Sequence, residues 1–383
     1  MLYRREGFRP QSSFGGARGF GGAGGAGGAV GLGGAGGAGG AGGAGGAGGA
    51  GGAGGAGGAA GGGGENGLDA GGAITCRDGI VGAFDRNAIR SFELQAVDAV
   101  APFERWEPWI RGCLIDGELL QGVTYKPVQN GFSVVGSGEP IATILRPRAD
   151  SDSMRRQVEL VVEYAALRED RAAEVLSQVP QLSTYWASVV GLHPSRTPRT
   201  LELVSAAVRL AIMVEMRFKH AFAFPRPMQY SPQVQPMILT PQHSSYPSGH
   251  STEAHMVAHL LIRLTGATDD LRRHTLLKLA GRIAVNRTVA GVHFPIDSRA
   301  GQVLGAALAD YLFDRCTGNA RHAERTFDPD GHMDQDFLAG APAVTGQDDG
   351  VTSASPDQTS EGTGDQDGHI LAWLWRRAKA EWS

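Results

Sequence analysis

The sequence has little of several features that define particular protein classes. Its 383 residues include three cysteines, Cys76, Cys113 and Cys316, which lie far apart and lack the close spacing of a metal site. This usage fits a reduced cytoplasmic protein better than a disulfide framework. No run reaches the roughly 18 apolar residues that are needed to span a bilayer, so no transmembrane segment is expected.

The chain also has no large excess of positive or negative charge. The formal net charge is −4, and lysine and arginine form no basic stripe. This balance argues against a nucleic-acid partner. The chain starts with basic residues, but no apolar segment follows them, so no secretory signal is apparent and a cytoplasmic location is expected.

Glycine, by contrast, is abundant, with 59 residues in the chain, about half of them in a Gly-Gly-Ala repeat from about 21 to 64. Such a tract has no side chains with which to build a core, and glycine loses the most backbone freedom on ordering. Residues 1–72 are therefore predicted to form a disordered tail, with a fibrous Gly-Ala segment as the alternative.

Residues 337–383 are predicted to form a second, acidic tail. The stretch 340–368 is rich in Asp, Gly, Ser and Thr and has almost no apolar residues, which is typical of disorder. Residues 369–382 have the pattern of a short amphipathic helix that docks on the protein body or on a partner. What remains, 73–336, suffices for one catalytic domain with a sizeable core.

Helical periodicity dominates the second half of this domain, where apolar residues recur at three- and four-residue steps. The predicted helices cover 153–179, 181–192, 201–220 (with Thr200 as N-cap), 249–265, 269–290 and 297–313. A short hairpin within 122–136 is the one candidate for strand structure. The predicted fold class is therefore all-α, a helical bundle, with Trp106, Trp109 and Trp186 assigned to the core.

Two separated patches share the chemistry of binding a tetrahedral oxyanion. In the first, Lys219 ends a predicted helix and Arg226 follows in a loop, so two cations can reach one place. In the second, the Ser248 hydroxyl and the Gly249 amide can donate hydrogen bonds. They lie at the start of a helix, where unpaired N–H groups and the helix dipole favour an anion.

A third patch contains Arg287, His293 and Asp297. A carboxylate four residues after the histidine can accept from one ring nitrogen and leave the other as an electron-pair donor. Such a histidine can attack phosphorus or ligate a metal oxyanion. Taken singly, the three patches also fit an ordinary loop, an ordinary N-cap and a core histidine, but their joint order and spacing favour an oxyanion site.

Together, Lys219-x6-Arg226-Pro227, Pro247-Ser248-Gly249-His250 and Arg287-x5-His293-x3-Asp297 resemble the signature motifs of the type 2 phosphatidic acid phosphatase and vanadium-dependent haloperoxidase superfamily. The resemblance implies an all-α bundle whose helix ends surround a phosphate or vanadate. It implies these roles: oxyanion binding by Lys219, Arg226, Ser248, Gly249 and Arg287, general acid–base chemistry by His250, nucleophile or vanadate ligand by His293, and orientation of His293 by Asp297. Asn286 departs from the pattern, since many members have serine there, in a supporting position.

Two enzyme activities fit this resemblance, each with a small-molecule substrate. A soluble acid phosphatase hydrolyses phosphomonoesters through a phosphohistidine and needs no cofactor. A haloperoxidase holds vanadate and oxidises halide with hydrogen peroxide. His243 lies five positions before Ser248, where vanadium bromoperoxidases have a histidine beside the vanadate, and it is a further catalytic candidate.

The absence of membrane spans argues against a lipid phosphatase, although the segment around His293 resembles the third motif of those enzymes. The sequence therefore favours a vanadate-dependent, haloperoxidase-like enzyme, with the soluble phosphatase as the alternative.

Two other classes of function remain open at this point. His255 and His259 have the His-x3-His spacing that places two imidazoles on one helix face for zinc, although such a pair more often lies on a helix surface or in a hydrogen-bonded interior. A non-enzymatic anion-binding scaffold is the other alternative. It is disfavoured because every side chain that the motifs require is present.

Overall fold

A computed structural model describes residues 85–94, 99–100, 102–180, 182–266, 270–318, 324–337 and 370–383, together with 76, 77 and 80. The predicted Gly-Ala tail and the predicted disordered stretch 340–368 lie outside the described residues. The chain divides into two compact units, Met1–Phe92 and Glu93–Ser383. In the first unit, a 3-10 turn at Arg86–Ala88 is capped by the Asp85 side chain.

Helices form most of the described part of the second unit. Their bounds are α1 Pro108–Leu120, α2 Ser151–Tyr164, α3 Arg168–Ser177, α4 Ser183–Val190, α5 Pro198–Phe222, α6 Pro227–Tyr230, α7 Gly249–Thr265, α8 Asp270–Val289, α9 Pro295–Thr317 and α10 Ile370–Ala380. None of the helices in the described part of the chain is long and apolar enough to cross a membrane.

The helix predictions differ from the structure mainly at breaks and starts. The single helix predicted over 153–179 is two helices, α2 and α3, separated by a 3-10 turn at Ala165–Leu167. Periodicity does not reveal such a change of direction, but Glu169 and Asp170 mark the new first turn, where acidic residues favour a helix start. Helix α9 begins at Pro295, before the predicted start, because proline is well suited to the first helical position.

The all-α prediction is wrong in one respect, because the fold is mostly helical with a four-stranded sheet in the order β1-β2-β3-β4. The strands are β1 Val123–Val128, β2 Gly131–Gly136, β3 Glu139–Leu145 and β4 Arg325–Phe327. The predicted hairpin is β1–β2, which β3 extends in antiparallel register. The three-residue strand β4 pairs in parallel with β3, and a pairing so distant along the chain leaves no local sequence pattern.

Close packing of α7 against α9 forms the centre of the helical core. A Cβ atom at Gly305 of α9 would overlap the carbonyl oxygen of Thr252 and lie 3.0 Å from the amide nitrogen of Met256. A Cβ atom at Gly301 would lie 2.6 Å from the carbonyl oxygen of Ser248. The two helix backbones are therefore nearly in contact just behind the motif that begins α7.

The tryptophan prediction is correct for one residue of three. Trp186 is 1% exposed, whereas Trp106 and Trp109 are 44% and 37% exposed. Both exposed rings flank the start of α1, at the edge of the helical core, where one ring face remains in solvent. Their spacing alone does not distinguish this edge from the interior.

Helix α10 packs on α5, α9 and α1 and buries Leu371, Leu374 and Trp375. The Glu381 carboxylate just beyond it accepts hydrogen bonds from the backbone amides of Arg199 and Thr200, at 2.7 Å and 2.8 Å. The prediction that Thr200 is the N-cap of α5 is thus wrong. Thr200 lies in the first turn, and Thr197 is the N-cap because Pro198 starts the helix.

We expect Gly305→Ala to destabilise the protein by about 1–3 kcal/mol, because the added methyl group forces α7 and α9 apart. Gly117→Ala in α1 is the matched control, since a Cβ there meets nothing within 4 Å. That variant should gain about 0.5–1 kcal/mol from the better helix former. Urea unfolding measures both, and equal effects of the two variants would contradict the close packing of α7 and α9.

Candidate active site

The three predicted patches meet where α5 ends and where α7 and α9 begin. Lys219 lies in the last turn of α5, which ends as Ala223 adopts a left-handed conformation with φ 47° ahead of Pro225. Helix α7 begins at Gly249, directly after Ser248, and α9 begins one residue after Phe294. The N-termini of α7 and α9 therefore lie close to Lys219 of α5 and Arg226 of the following loop.

His293 and Asp297 form the hydrogen-bonded pair that their spacing predicts. The His293 Nδ1 atom lies 3.0 Å from Asp297 Oδ2, and both residues are buried. The same carboxylate oxygen accepts from the Phe294 amide at 2.9 Å and from the Ser245 hydroxyl. Because Nδ1 donates to a carboxylate, the lone pair of the neutral ring is on Nε2.

Burial and the nearby Arg226 guanidinium hold the pKa of His293 well below its usual value, so the ring is neutral at physiological pH. Burial raises the pKa of Asp297 to about 6 against the lowering effect of its hydrogen bonds. The carboxylate is consequently ionised above that pH and orients the imidazole. Below that pH, protonation of Asp297 removes the charge that holds the ring.

Arg226 lies directly beside the Nε2 nitrogen of His293. Its Nη1 atom is 3.2 Å from His293 Nε2 and donates to the Val292 carbonyl at 2.8 Å. Its Nε and Nη2 atoms donate to the His243 carbonyl at 3.1 Å and 3.0 Å. The guanidinium is thus held by backbone carbonyls in a position to neutralise an anion bonded to His293 Nε2.

Lys219 is buried beneath the loop that precedes α7. Its ammonium donates to the carbonyls of Ser244 at 3.2 Å, Ser245 at 3.3 Å and Pro247. Burial lowers the pKa of Lys219 to about 8. Its predicted contact with the oxyanion remains a prediction, because in this structure its donors hold the loop and its charge acts across the site.

Two donors at the site are buried and have no hydrogen-bond partner: the Ser248 hydroxyl and the Arg287 Nε atom. Arg287 Nη2, by contrast, is fixed by the Gln178 side chain at 2.9 Å and the Val175 carbonyl at 3.2 Å. Buried donors without partners cost free energy unless a ligand accepts from them. Buried, unpartnered donors of this kind are what an oxyanion site requires.

His250 follows on the first turn of α7 and is half-buried. Its Nε2 atom donates to the Gln178 carbonyl at 3.1 Å, which leaves Nδ1 as the free nitrogen. Desolvation, together with the charge of Arg287, lowers the pKa of His250 to about 3. Without an anion in the site, the ring is therefore neutral.

His243 is exposed, and its Nδ1 atom lies 3.1 Å from Arg226 Nη2. Desolvation of the ring and the charge of Lys219 lower the pKa of His243 to about 4. The structure thus brings His243 to the rim of the same site, in contact with one of its cations, as a neutral side chain.

Two acidic residues at the site were missed by the sequence analysis. A Cβ atom at Gly249 would overlap Glu215 Oε1 and lie 3.1 Å from its Cδ atom. Glu215 is 2% exposed, and its Oε2 atom has no partner. Glu253, four residues after Gly249, is half-buried on α7. The available signal was a glutamate inside the apolar stripe of α5, one turn before Lys219.

Asn286 supports Arg287, as expected for its position. Its amide nitrogen donates to Glu174 at 2.8 Å and to Gln178 at 3.1 Å, and its oxygen accepts from Arg171 at 3.2 Å. These contacts fix α3 against α8 and hold the Gln178 side chain that binds Arg287.

The His255 and His259 pair has no third metal ligand in the part of the chain that the structure describes. His255 is buried, its Nδ1 atom donates to the Ser251 carbonyl at 2.7 Å, and its ring packs edge-on against Phe337. This is the hydrogen-bonded interior arrangement that the sequence analysis weighed against zinc.

The structure therefore shows a mostly helical protein in which the residues of the three motifs come together at converging helix ends. Residues 200–316 match the family model described as the PAP2 superfamily, a segment that contains all three motifs. This match confirms the resemblance predicted from the motifs, and it supports an enzyme of the phosphatase or haloperoxidase type. A comparison with curated proteins finds no match.

We expect Ser248→Ala to leave the free energy of unfolding within about 0.5 kcal/mol of the wild type, because no hydrogen bond is lost. It should weaken phosphate binding by roughly 10-fold or more, because an oxyanion loses a donor. Calorimetry and urea unfolding provide the two measurements.

Ser251→Ala is the matched control, since the Ser251 hydroxyl donates to the Ser298 carbonyl at 2.6 Å inside the same helix pair. It should cost about 1 kcal/mol of stability and leave phosphate binding unchanged. A Ser248 variant that lost stability but kept its phosphate affinity would show that this hydroxyl is structural.

Proposed function

We propose that this protein is a phosphatase that hydrolyses phosphomonoesters through a phosphohistidine on His293. The observation that carries the proposal is the His293 ring, fixed by Asp297 through Nδ1 and presenting its Nε2 lone pair beside Arg226 at 3.2 Å. A neutral, oriented imidazole is a competent nucleophile toward phosphorus. Because its pKa is held low, the ring needs no deprotonation before attack.

In the first step, His293 Nε2 forms a bond to phosphorus and the ester P–O bond breaks. Arg226, Arg287 and the Ser248 hydroxyl stabilise the charge on the equatorial oxygens. The departing alkoxide takes a proton from His250, whose pKa of about 3 rises once a phosphoryl anion lies beside it.

In the second step, water attacks the phosphohistidine and His250 accepts its proton. The P–N bond breaks, the electron pair returns to Nε2, and phosphate leaves. Asp297 keeps the Nδ1 proton in place throughout, which stabilises the positive charge that the ring carries while it is phosphorylated.

The charge balance of the site supports an exchangeable ligand rather than a permanently held one. The cations Lys219, Arg226 and Arg287 interact with the carboxyl groups of Glu215, Glu253 and Asp297. A site that retains vanadate as a cofactor benefits from uncompensated positive charge, because anion affinity is mainly electrostatic here. Ionised Glu253 and Asp297 reduce that excess and favour release of a phosphate product.

A vanadate-dependent haloperoxidase is the second candidate, and the position of His243 favours it. The His243 ring contacts Arg226 at the rim of the site, as the bromoperoxidase resemblance requires. The unpartnered donors of Ser248 and Arg287 and the His293 Nε2 atom beside Arg226 also fit vanadate, which His293 would ligate. Bound vanadate would supply peroxide activation for halide oxidation.

We expect His293→Ala to abolish hydrolysis of p-nitrophenyl phosphate, with a loss of about 10³-fold or more, since no other group replaces the nucleophile. His255→Ala, which removes an imidazole outside the site, should retain activity in the fraction that folds. Trapping of acid-labile, base-stable phosphate on the wild type but not on the His293 variant checks the intermediate directly. Full hydrolysis by the His293 variant would contradict the proposed nucleophile.

Vanadate separates the two candidates. For a phosphatase, we expect it to inhibit phosphomonoester hydrolysis competitively and to give no bromination of a phenol reporter with hydrogen peroxide. The His243→Ala variant should then keep most of its hydrolytic activity, because His243 takes no part in the two steps. Bromination by the vanadate-loaded wild type that is lost in His243→Ala would favour the haloperoxidase instead.

A further inference from the structure

Glu215 is a buried carboxyl group to which the two steps proposed above give no role. It lies one turn before Lys219 on α5 and is 2% exposed, and its Oε2 atom makes no hydrogen bond. An ionised carboxylate so placed loses its hydration without replacement, which is costly. Its surroundings therefore favour the protonated form, and burial accordingly raises the pKa of Glu215 well above its usual value.

The carboxyl group is part of the oxyanion site. An added Cβ at Gly249 would overlap Oε1 and lie 3.2 Å from Oε2, so both oxygens face the backbone that begins α7. Ser248, whose hydroxyl is also unpartnered, is the adjacent residue. Two side chains that each carry a buried, unpartnered oxygen thus lie at one helix N-terminus.

The charged groups around Glu215 come from each side of the site. Glu253 on α7 repels its negative charge, whereas Lys219 on α5 and Arg226 in the following loop attract it. Glu253 in turn faces Lys219 and Arg287, and desolvation raises the pKa of Glu253 to about 7. Two carboxyl groups that share a desolvated site cannot both ionise easily, which keeps one proton between them.

An anion in the site increases the need for one proton on the two carboxyl groups. If Glu215, Glu253 and Asp297 were all ionised, they would balance the charges of Lys219, Arg226 and Arg287, and no net positive charge would remain for a ligand. A proton on Glu215 restores an excess of one positive charge. It also turns a repelling oxygen into a hydrogen-bond donor, as a neutral carboxylic acid can be in an apolar site.

We propose that Glu215, in its protonated form, is an additional oxyanion-binding residue, and that Glu253 keeps the proton on it. The proposal rests on the proposed function, because it assumes that an oxyanion occupies this site. It adds that the site binds the oxyanion together with one proton on the protein. Affinity for the oxyanion is therefore full at low pH and is lost as the pH rises through the titration of Glu215.

The experiment titrates sulfate into the full-length wild type and two variants by calorimetry, between about pH 5.5 and 8.5. Sulfate is a tetrahedral dianion throughout this range, so changes in affinity belong to the protein. The variants are Glu215→Gln, whose amide can donate at every pH, and Glu253→Gln, which removes the repelling charge. Circular dichroism checks that each variant is folded, and phosphate is titrated in parallel.

We expect the wild-type affinity for sulfate to fall by roughly 10-fold or more across the range, corresponding to a shift of about one pKa unit. Glu215→Gln should match the wild type at low pH and bind more tightly at high pH. Its remaining decrease should be smaller than that of the wild type, because it comes only from the other titrating groups of the site, Lys219, Glu253 and Asp297. Glu253→Gln should keep the pH dependence with its midpoint at lower pH.

A folded Glu215→Gln variant that shows the wild-type pH dependence, or that binds no sulfate, overturns the proposal. If Glu215→Gln does not fold, an unmoved midpoint in Glu253→Gln overturns it. Binding of phosphate but not sulfate by the wild type also overturns it, because Glu215 would then be an acceptor. A wild type that binds neither anion at any pH contradicts the oxyanion site itself, and with it the proposed function.

Discussion

The Asp297 residue ties together the parts of the site that come from distant segments. Its Oδ2 atom accepts from the His293 ring, from the Phe294 amide and from Ser245, while its backbone carbonyl accepts from the Ser248 amide at 2.9 Å. One residue at the start of α9 thereby fixes both the His293 ring, the proposed nucleophile, and the residue that precedes α7. Its complete burial makes these bonds strong, because no water competes for the carboxylate.

The glycines of α9 make this arrangement possible. Gly301 and Gly305 let α7 and α9 approach until their backbones nearly touch, so the two helix N-termini open on the same side. The Ser248 amide can then reach the Asp297 carbonyl. Side chains at these glycines would separate the helices and with them the two halves of the site.

The oxyanion site could be predicted from sequence to the extent that its chemistry is local. The His293 and Asp297 pair, the helix start at Gly249 and the bounds of α7 follow from short spacings and propensities. The positions of Glu215 and β4 could not be obtained in this way. Each depends on a partner far along the chain, so tertiary packing and not a local pattern decides its role.

The difference between local and distant interactions also explains why the helices were predicted and part of the sheet was not. Helical periodicity is visible within any one segment, and it located most of the helices. Only part of the sheet could be predicted, because β1 and β2 form a hairpin with a short turn, whereas β4 has three residues and pairs with a strand far back in the chain. Short strands that pair late in the sequence carry little signal of their own.

The contact between Glu381 and the start of α5 limits when the fold around the site can be completed. The Thr200 amide donates to Glu381, which lies 181 residues further along the chain. Thr200 is in the first turn of α5, and Lys219 is in its last turn. During translation, the segments that build the site emerge from the ribosome well before the carboxylate that caps their longest helix. A nascent chain therefore carries an incompletely anchored site until residues near 381 have emerged.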